Sequence, residues 1–344
     1  MVRTRIFAIA ALTIGISAAA IFAEPSENFK VFLCFGQSNM SGGSGVMPSS
    51  EDGKTHDRVM TLAFNDCQQN GWQKDKWYNA KDPLHCGDGI NAIGPAYSFG
   101  KALADSLPGD TIGLVPCGQW GVSIAYFMKG GFYNDSKPGY PGGTNVYDWM
   151  LKRCKTALER GVFSGIILLQ GESNSGQQDW ADNVKKIYDD LKTDLAIKSD
   201  IPIVVGELLH SGCCGGHNSI IAKIPEKFPE GLGYVASAEG LSGGGTQPQY
   251  HFNAEGYREM GKRFAVEMLK GLRYIGTSIR TPKVNKAISS VKQINSTNAK
   301  VYSLDGRLIN TNKSSKIQAG KFTPGIYISG GSDNITRLLL VPND

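Results

Sequence analysis

Histidine is scarce in this chain, with five among 344 residues: His56, His85, His210, His217 and His251. Charge is sparse too, since 19% of residues are charged and the net charge is +5. No lysine or arginine block is interleaved with aromatics, which argues against nucleic acid as a partner and leaves a neutral or weakly acidic substrate open. After the first two dozen residues no stretch is apolar enough to cross a bilayer. The cysteine and histidine spacings match no usual zinc ligand set, so no metal and no cofactor is expected. What remains is an ordinary globular composition, 41% hydrophobic, long enough for one large domain and a small one.

The amino terminus reads as an address. Arg3 and Arg5 precede an apolar run from Ile6 to Phe22, with Ala18, Ala19, Ala20 and Ala23 supplying a cleavage region. A signal peptide over 1–23 is expected, with export and a mature chain starting near Glu24. A retained membrane anchor is the competing reading. Seven cysteines in an exported chain predict disulfides and one unpaired thiol. Cys67 and Cys86 flank a loop-like region and are the preferred pair, whereas Cys213 and Cys214 are adjacent, and adjacent cysteines rarely bridge without strain.

The chain then alternates strands and helices, as a parallel sheet requires. Strands are expected over 30–35, 111–117, 165–169, 202–208 and 233–236, and helices over 95–107, 147–160, 180–196 and 254–272. A polar stretch from Gly42 to Gly94 reads as a long functional loop, or one carrying small strands of its own. Several strands end in glycine followed by polar residues, which is how an open sheet builds one active edge from separated segments.

Ser38 stands at the first of these edges, in Gly36-Gln37-Ser38-Asn39-Met40. It is a nucleophile at the mouth of a cleft or, equally well from this stretch alone, a serine closing a strand-to-turn junction. A serine nucleophile needs a base, a carboxylate to orient it, and N–H donors for an oxyanion. Among the histidines only His251 stands directly before a helix, with Asn253 as its N-cap; a buried structural histidine is the alternative.

Together Gly36-Gln37-Ser38-Asn39-Met40, Gly121 after an apolar strand, Gln170-Gly171-Glu172-Ser173-Asn174, and His251-Phe252 before Glu255-Gly256-Tyr257 resemble the four blocks of the SGNH hydrolase superfamily. More narrowly they resemble carbohydrate esterase family six and the sialate O-acetylesterases, over roughly residues 28–272. The resemblance implies a three-layer α/β/α domain over 24–275 that removes acetyl groups from plant polysaccharide, acetylated xylan first, or from sialic acids. A lipase or thioesterase, and a non-catalytic sugar-binding protein on the same fold, are the alternatives. It implies Ser38 as nucleophile, His251 as general base, and Ser38, Gly121 and Gln170 as oxyanion donors. Gln37, Asn39 and Trp120 are expected to meet the substrate, with bracing of the turn as the default role of Gln37 and Asn39. Members of the superfamily usually carry an aspartate three residues before the base, and here that position is Pro248. Glu172 is therefore the preferred third member, ahead of Glu239 and Glu207.

Residues 283–344 differ in kind. Short alternating runs at 299–309, 325–329 and 337–341 predict a small β-sandwich. They resemble the sorting domains of the type nine secretion system, which implies secretion machinery as a partner; a carbohydrate-binding module is the alternative. Removal of everything after about Thr281 is expected to leave an active esterase that is no longer delivered.

Overall fold

The computed structural model describes residues 25–43, 45–87, 92–133 and 144–280, together with four later strands; residues 277–280 and those strands are described by backbone alone. The proposed signal peptide and most of the C-terminal segment lie outside the described residues. The chain divides into two units, 1–279 and 280–344.

In chain order the first unit contains β1 (Ser26–Gly36), α1 (Ser38–Ser41), β2 (Val59–Leu62), β3 (Trp77–Asn79), α2 (Pro95–Ser106), β4 (Thr111–Gly118), a ribbon of β5 (Phe132–Tyr133) and β6 (Thr144–Asn145), and α3 (Val146–Leu158). Then come β7 (Gly161–Leu169), α4 (Trp180–Asp194), β8 (Ile203–Gly206), α5 (Asn218–Ile221), α6 (Ile224–Lys227), β9 (Gly233–Ala236) and α7 (Ala254–Arg280). Seven strands form one sheet in the order β3-β2-β4-β1-β7-β8-β9. Every neighbouring pair is parallel except β2 with β3.

The alternation of β1 explains the layers. Val31, Leu33 and Phe35 enter a core shared with Met150 and Cys154 of α3 and Trp180, Val184 and Leu191 of α4. Phe32 and Cys34 point the other way, into a core shared with Phe99 and Leu103 of α2 and Met260, Phe264 and Met268 of α7. A strand buried on both faces reads as a continuous apolar run, which is why residues 31–35 carry no polar side chain. The result is the expected three-layer α/β/α sheet.

The stretch 42–94 carries small strands of its own, one of its two expected readings: β2 and β3, whose ladder widens the sheet beyond β4. Strand β7 begins at Gly161 rather than 165, because its first residues pair with β1 across a bulge. Among the described residues the second unit holds one antiparallel sheet: β10 (Lys300–Ser303), β11 (Leu308–Asn310), β12 (Gly325–Gly330) and β13 (Arg337–Val341), in the order β11-β10-β12-β13.

Candidate active site

The carboxyl ends of β1, β4 and β7 are tied together before any side chain is considered. Gln119 N donates to Gly36 O at 2.7 Å, and Gln37 N donates to Leu169 O at 3.0 Å. Gly36 has φ +144°, and a Cβ there would lie 2.1 Å from Leu169 O, so only glycine lets the chain turn this close to β7. The turn delivers Ser38 as the first residue of α1.

Its partner arrives from the far end of the unit. The side chain of Asn253 accepts from Gly256 N at 2.7 Å, the N-cap of α7. Two residues earlier, His251 Nε2 lies 2.9 Å from Ser38 Oγ. Both side chains are nearly buried, with 8% and 6% of their residues' surface exposed. Burial lowers the His251 pKa, which keeps the imidazole neutral and able to accept a proton. Its Nδ1 is buried and has no hydrogen-bond partner among the described residues.

Glu172 lines the same cleft, but no hydrogen bond joins it to His251. Asn39 Nδ2 donates to Glu172 Oε1 at 2.5 Å and to Tyr250 O at 2.9 Å. One amide thus holds the carboxylate next to the residue that precedes the histidine. Glu172 Oε2 is buried without a partner among the described residues. Desolvation pushes the carboxyl from 4.5 up to about 7, against the hydrogen bonds from Asn39 and the backbone, which lower it. The other carboxylates are committed elsewhere: Glu207 Oε2 accepts from Ser237 Oγ and Ala238 N and meets His210 Nε2 at 2.8 Å. Glu239 is exposed.

The two glutamine amides are placed differently. Gln170 is fully buried; its Nε2 lies within hydrogen-bond distance of Gln37 Oε1, Val122 O and Asn174 Oδ1, and its Oε1 accepts from Trp180 Nε1. The protons of Gln170 are thus directed inward, and it has no surface in the cleft where an oxyanion would form. Gln37 lines the cleft instead. Its Oε1 accepts from Gln170 Nε2 at 3.0 Å, Ser173 N at 3.2 Å and Gly171 N at 3.3 Å. Two backbone N–H groups fix which end of this amide is oxygen, leaving Nε2 with no described partner. Ser38 N and Gly121 N likewise donate to no described residue.

The cleft measures about 490 Å³ and is lined by Gln37, Ser38, Gly43, Trp120, Gly121, Glu172, Ser173, Gln247, Tyr250 and His251. Asn39 is fully buried behind it, where its Oδ1 accepts from Phe252 N and the Tyr257 hydroxyl, so it braces rather than touches a ligand. Three supports were not anticipated. Asn174 Oδ1 accepts from Ile124 N and steadies the loop after Gly121. His85 Nε2 accepts from Gly118 N at 2.9 Å, and burial drops its pKa to about 3, which keeps that acceptor unprotonated. The pair Cys213–Cys214 is bonded, as is the expected Cys67–Cys86, which leaves three buried free thiols, Cys34, Cys117 and Cys154, rather than one. All three sit in the sheet or against it, where a thiol packs as a small apolar group.

Comparison with known proteins places this geometry. A family model described as carbohydrate esterase, sialic acid-specific acetylesterase, matches residues 28–270. The chain belongs to this family. It is a carbohydrate esterase, and its sequence is 26% identical over 197 residues to a probable carbohydrate esterase from Arabidopsis thaliana, covering 53% of this chain and 69% of that relative. The crystal structure of that Arabidopsis protein superposes with a TM-score of 0.55 at 21% identity, over 70% of this chain and 97% of the other. The structure of NanS gives a TM-score of 0.57 at 16% identity, over 72% and 99%. At these identities the two structures share the esterase's fold.

Proposed function

We propose that this carbohydrate esterase is an exported serine O-acetylesterase acting through an acetyl–Ser38 intermediate. The observation that carries the proposal is the 2.9 Å approach of His251 Nε2 to Ser38 Oγ beside two unengaged backbone amides. Ser38 Oγ attacks the acetyl carbonyl carbon while His251 Nε2 takes the hydroxyl proton. The negative charge on the carbonyl oxygen is met by Ser38 N–H, Gly121 N–H and Gln37 Nε2. Collapse expels the sugar oxygen, which receives the proton from His251. Water then attacks the acetyl-serine by the same route in reverse and releases acetate.

Glu172 is the group that balances the imidazolium. Its Oε2 and His251 Nδ1 are both buried and unpartnered, and catalytic hydrogen bonds in an unliganded site often close only in the complex. No step calls for a metal, so EDTA should leave turnover intact.

For the substrate we favour a neutral acetylated polysaccharide, acetylated xylan first. The described cleft-lining residues include no lysine or arginine, whereas a sialic acid brings a carboxylate that a cation would recognise. Acetate release across acetylated xylan, acetylated pectin and O-acetylated sialic acid, with and without Ser38→Ala, tests both points. Release confined to the sialic acid ester would reject the substrate reading, and release unaffected by Ser38→Ala would reject the mechanism. Export through the amino-terminal segment, and delivery through the C-terminal strands, complete the proposal.

A further inference from the structure

Between β8 and α5 the chain makes a tight excursion, residues 207–217, that sequence patterns left without a role. It touches both loops that carry the proposed base and its carboxylate. Cys213 N donates to Gln249 O at 2.9 Å, two residues before His251. Cys214 Sγ lies 3.9 Å from the carbonyl oxygen of Glu172. His217, fully buried, completes the contact: its Nδ1 accepts from Gly176 N at 3.3 Å and its ring stands edge-on to Trp180. The ring also sits under Gly171, which has φ +157° and where a Cβ would come 2.7 Å from His217 Cδ2. The excursion is anchored in turn by Asn218, whose side chain pairs with both Leu208 N and Leu208 O.

We propose that the Cys213–Cys214 disulfide positions the Glu172 loop against the His251 loop, and that opening it with a dithiol slows the esterase without unfolding it. The inference rests on the catalytic reading of Ser38, His251 and Glu172 given above. A bridge between neighbours closes an eight-membered ring around the one peptide unit that joins them, and fixes the torsions on either side of that unit. The residue that enters the ring, Cys213, donates its N–H to the histidine loop, and the sulfur of Cys214 meets the carboxylate loop. Without the ring, both contacts rest on a chain with free torsions, and a misplacement of about 1 Å can cost two orders of magnitude in rate.

Access favours this bridge over the other. Cys213 is exposed, whereas Cys67 and Cys86 are 1% and 3% exposed. Exchange requires a thiolate to reach a sulfur, so a mild reductant meets Cys213 first. A dithiol thiolate attacks Cys213 Sγ, the S–S bond breaks, and the electron pair leaves on Cys214 Sγ, which takes a proton. The second thiol of the reagent then displaces Cys213, giving two cysteine thiols and one oxidised cyclic reagent.

The test treats the full chain with dithiothreitol over a time course, and follows acetyl-ester hydrolysis, alkylation of each cysteine by peptide mass mapping, and near-ultraviolet circular dichroism. The expected result is a fall in kcat of fivefold or more, with KM within twofold. This fall should track labelling of Cys213 and Cys214 while Cys67 and Cys86 stay bridged and the dichroism is unchanged, and reoxidation should restore the rate. Cys213→Ser with Cys214→Ser should start at the reduced rate and ignore the reagent. Full labelling of the adjacent pair with kcat unchanged would overturn the inference, as would a loss that follows Cys67 and Cys86 instead. An untreated chain that hydrolyses no acetyl ester would overturn the catalytic reading, and this inference with it. Activity that is present but indifferent to reduction sinks the inference alone.

Discussion

Asn39 and Glu172 lie 133 residues apart in sequence and are joined by a side-chain hydrogen bond, Nδ2 to Oε1 at 2.5 Å. The same Asn39 nitrogen reaches Tyr250 O, and its oxygen serves Phe252 N and the Tyr257 hydroxyl. One buried amide therefore sets the distance between the carboxylate loop and the histidine loop. Asn39→Ala removes all four bonds and strands buried partners, each at about 1–3 kcal/mol before relaxation. Thermal unfolding should drop by several degrees and kcat by more than KM rises. A variant with unchanged melting and unchanged kcat would show that the loops are held by other means.

Glu172→Gln should lower turnover on the order of ten-thousandfold, about 5 kcal/mol, because the imidazolium loses its balancing charge. The pH profile separates this from a bracing role. Since burial raises the carboxyl to about 7, kcat/KM of the native chain should fall below about pH 7 as Glu172 takes a proton. The residual activity of the glutamine variant should instead keep its acid limb below 6.5, where His251 titrates. Gln247→Ala, Gln249→Ala and Glu239→Gln, all at exposed positions, should change little. A more damaging Glu239→Gln would reassign the carboxylate.

The same substitution should stabilise the fold at alkaline pH. The carboxyl titrates near 4.5 when exposed and about 7 when folded, so the folded chain holds the extra proton between those values. That contribution is fully present below pH 4.5, is lost as pH rises through 7, and does not return above it. Urea unfolding at pH 5 and pH 8 should therefore show Glu172→Gln gaining on the native chain by ~1–3 kcal/mol more at pH 8. An equal gap at both values would mean that the carboxyl is not raised in the folded state.

Most of the scaffold was legible because burial leaves a strong imprint. The unbroken apolar run of β1, the glycines at strand ends and the helical spacing in α2, α4 and α7 each have one physical reading. Ser38 and His251 stood out because they flank such elements. Which of Gln37 and Gln170 faces the cleft was not legible, since two glutamines offer the same amide and only the fold turns one inward. The β2–β3 ladder was expected only as small strands somewhere within 42–94, because strands of four and three residues are too short to show a period. Nothing in the order of residues marks Cys213–Cys214 as bonded, because adjacency argues against it.

Gln37→Glu isolates the oxyanion role. The glutamate keeps an oxygen for Gly171 N and Ser173 N but loses the Nε2 donor in the cleft, so kcat should fall about 10²–10³-fold with KM little changed. Activity near the native level would return Gln37 to a bracing role.

The central claim is that Ser38 carries the acetyl group through the reaction. Acid quenching within the first turnover on p-nitrophenyl acetate, followed by peptide mass mapping, reads this directly. The account predicts one acetyl group on the peptide containing Ser38 in the native chain and none in Ser38→Ala, which should release no p-nitrophenol above background. An acetyl group on any other residue, or full turnover by Ser38→Ala, would contradict it.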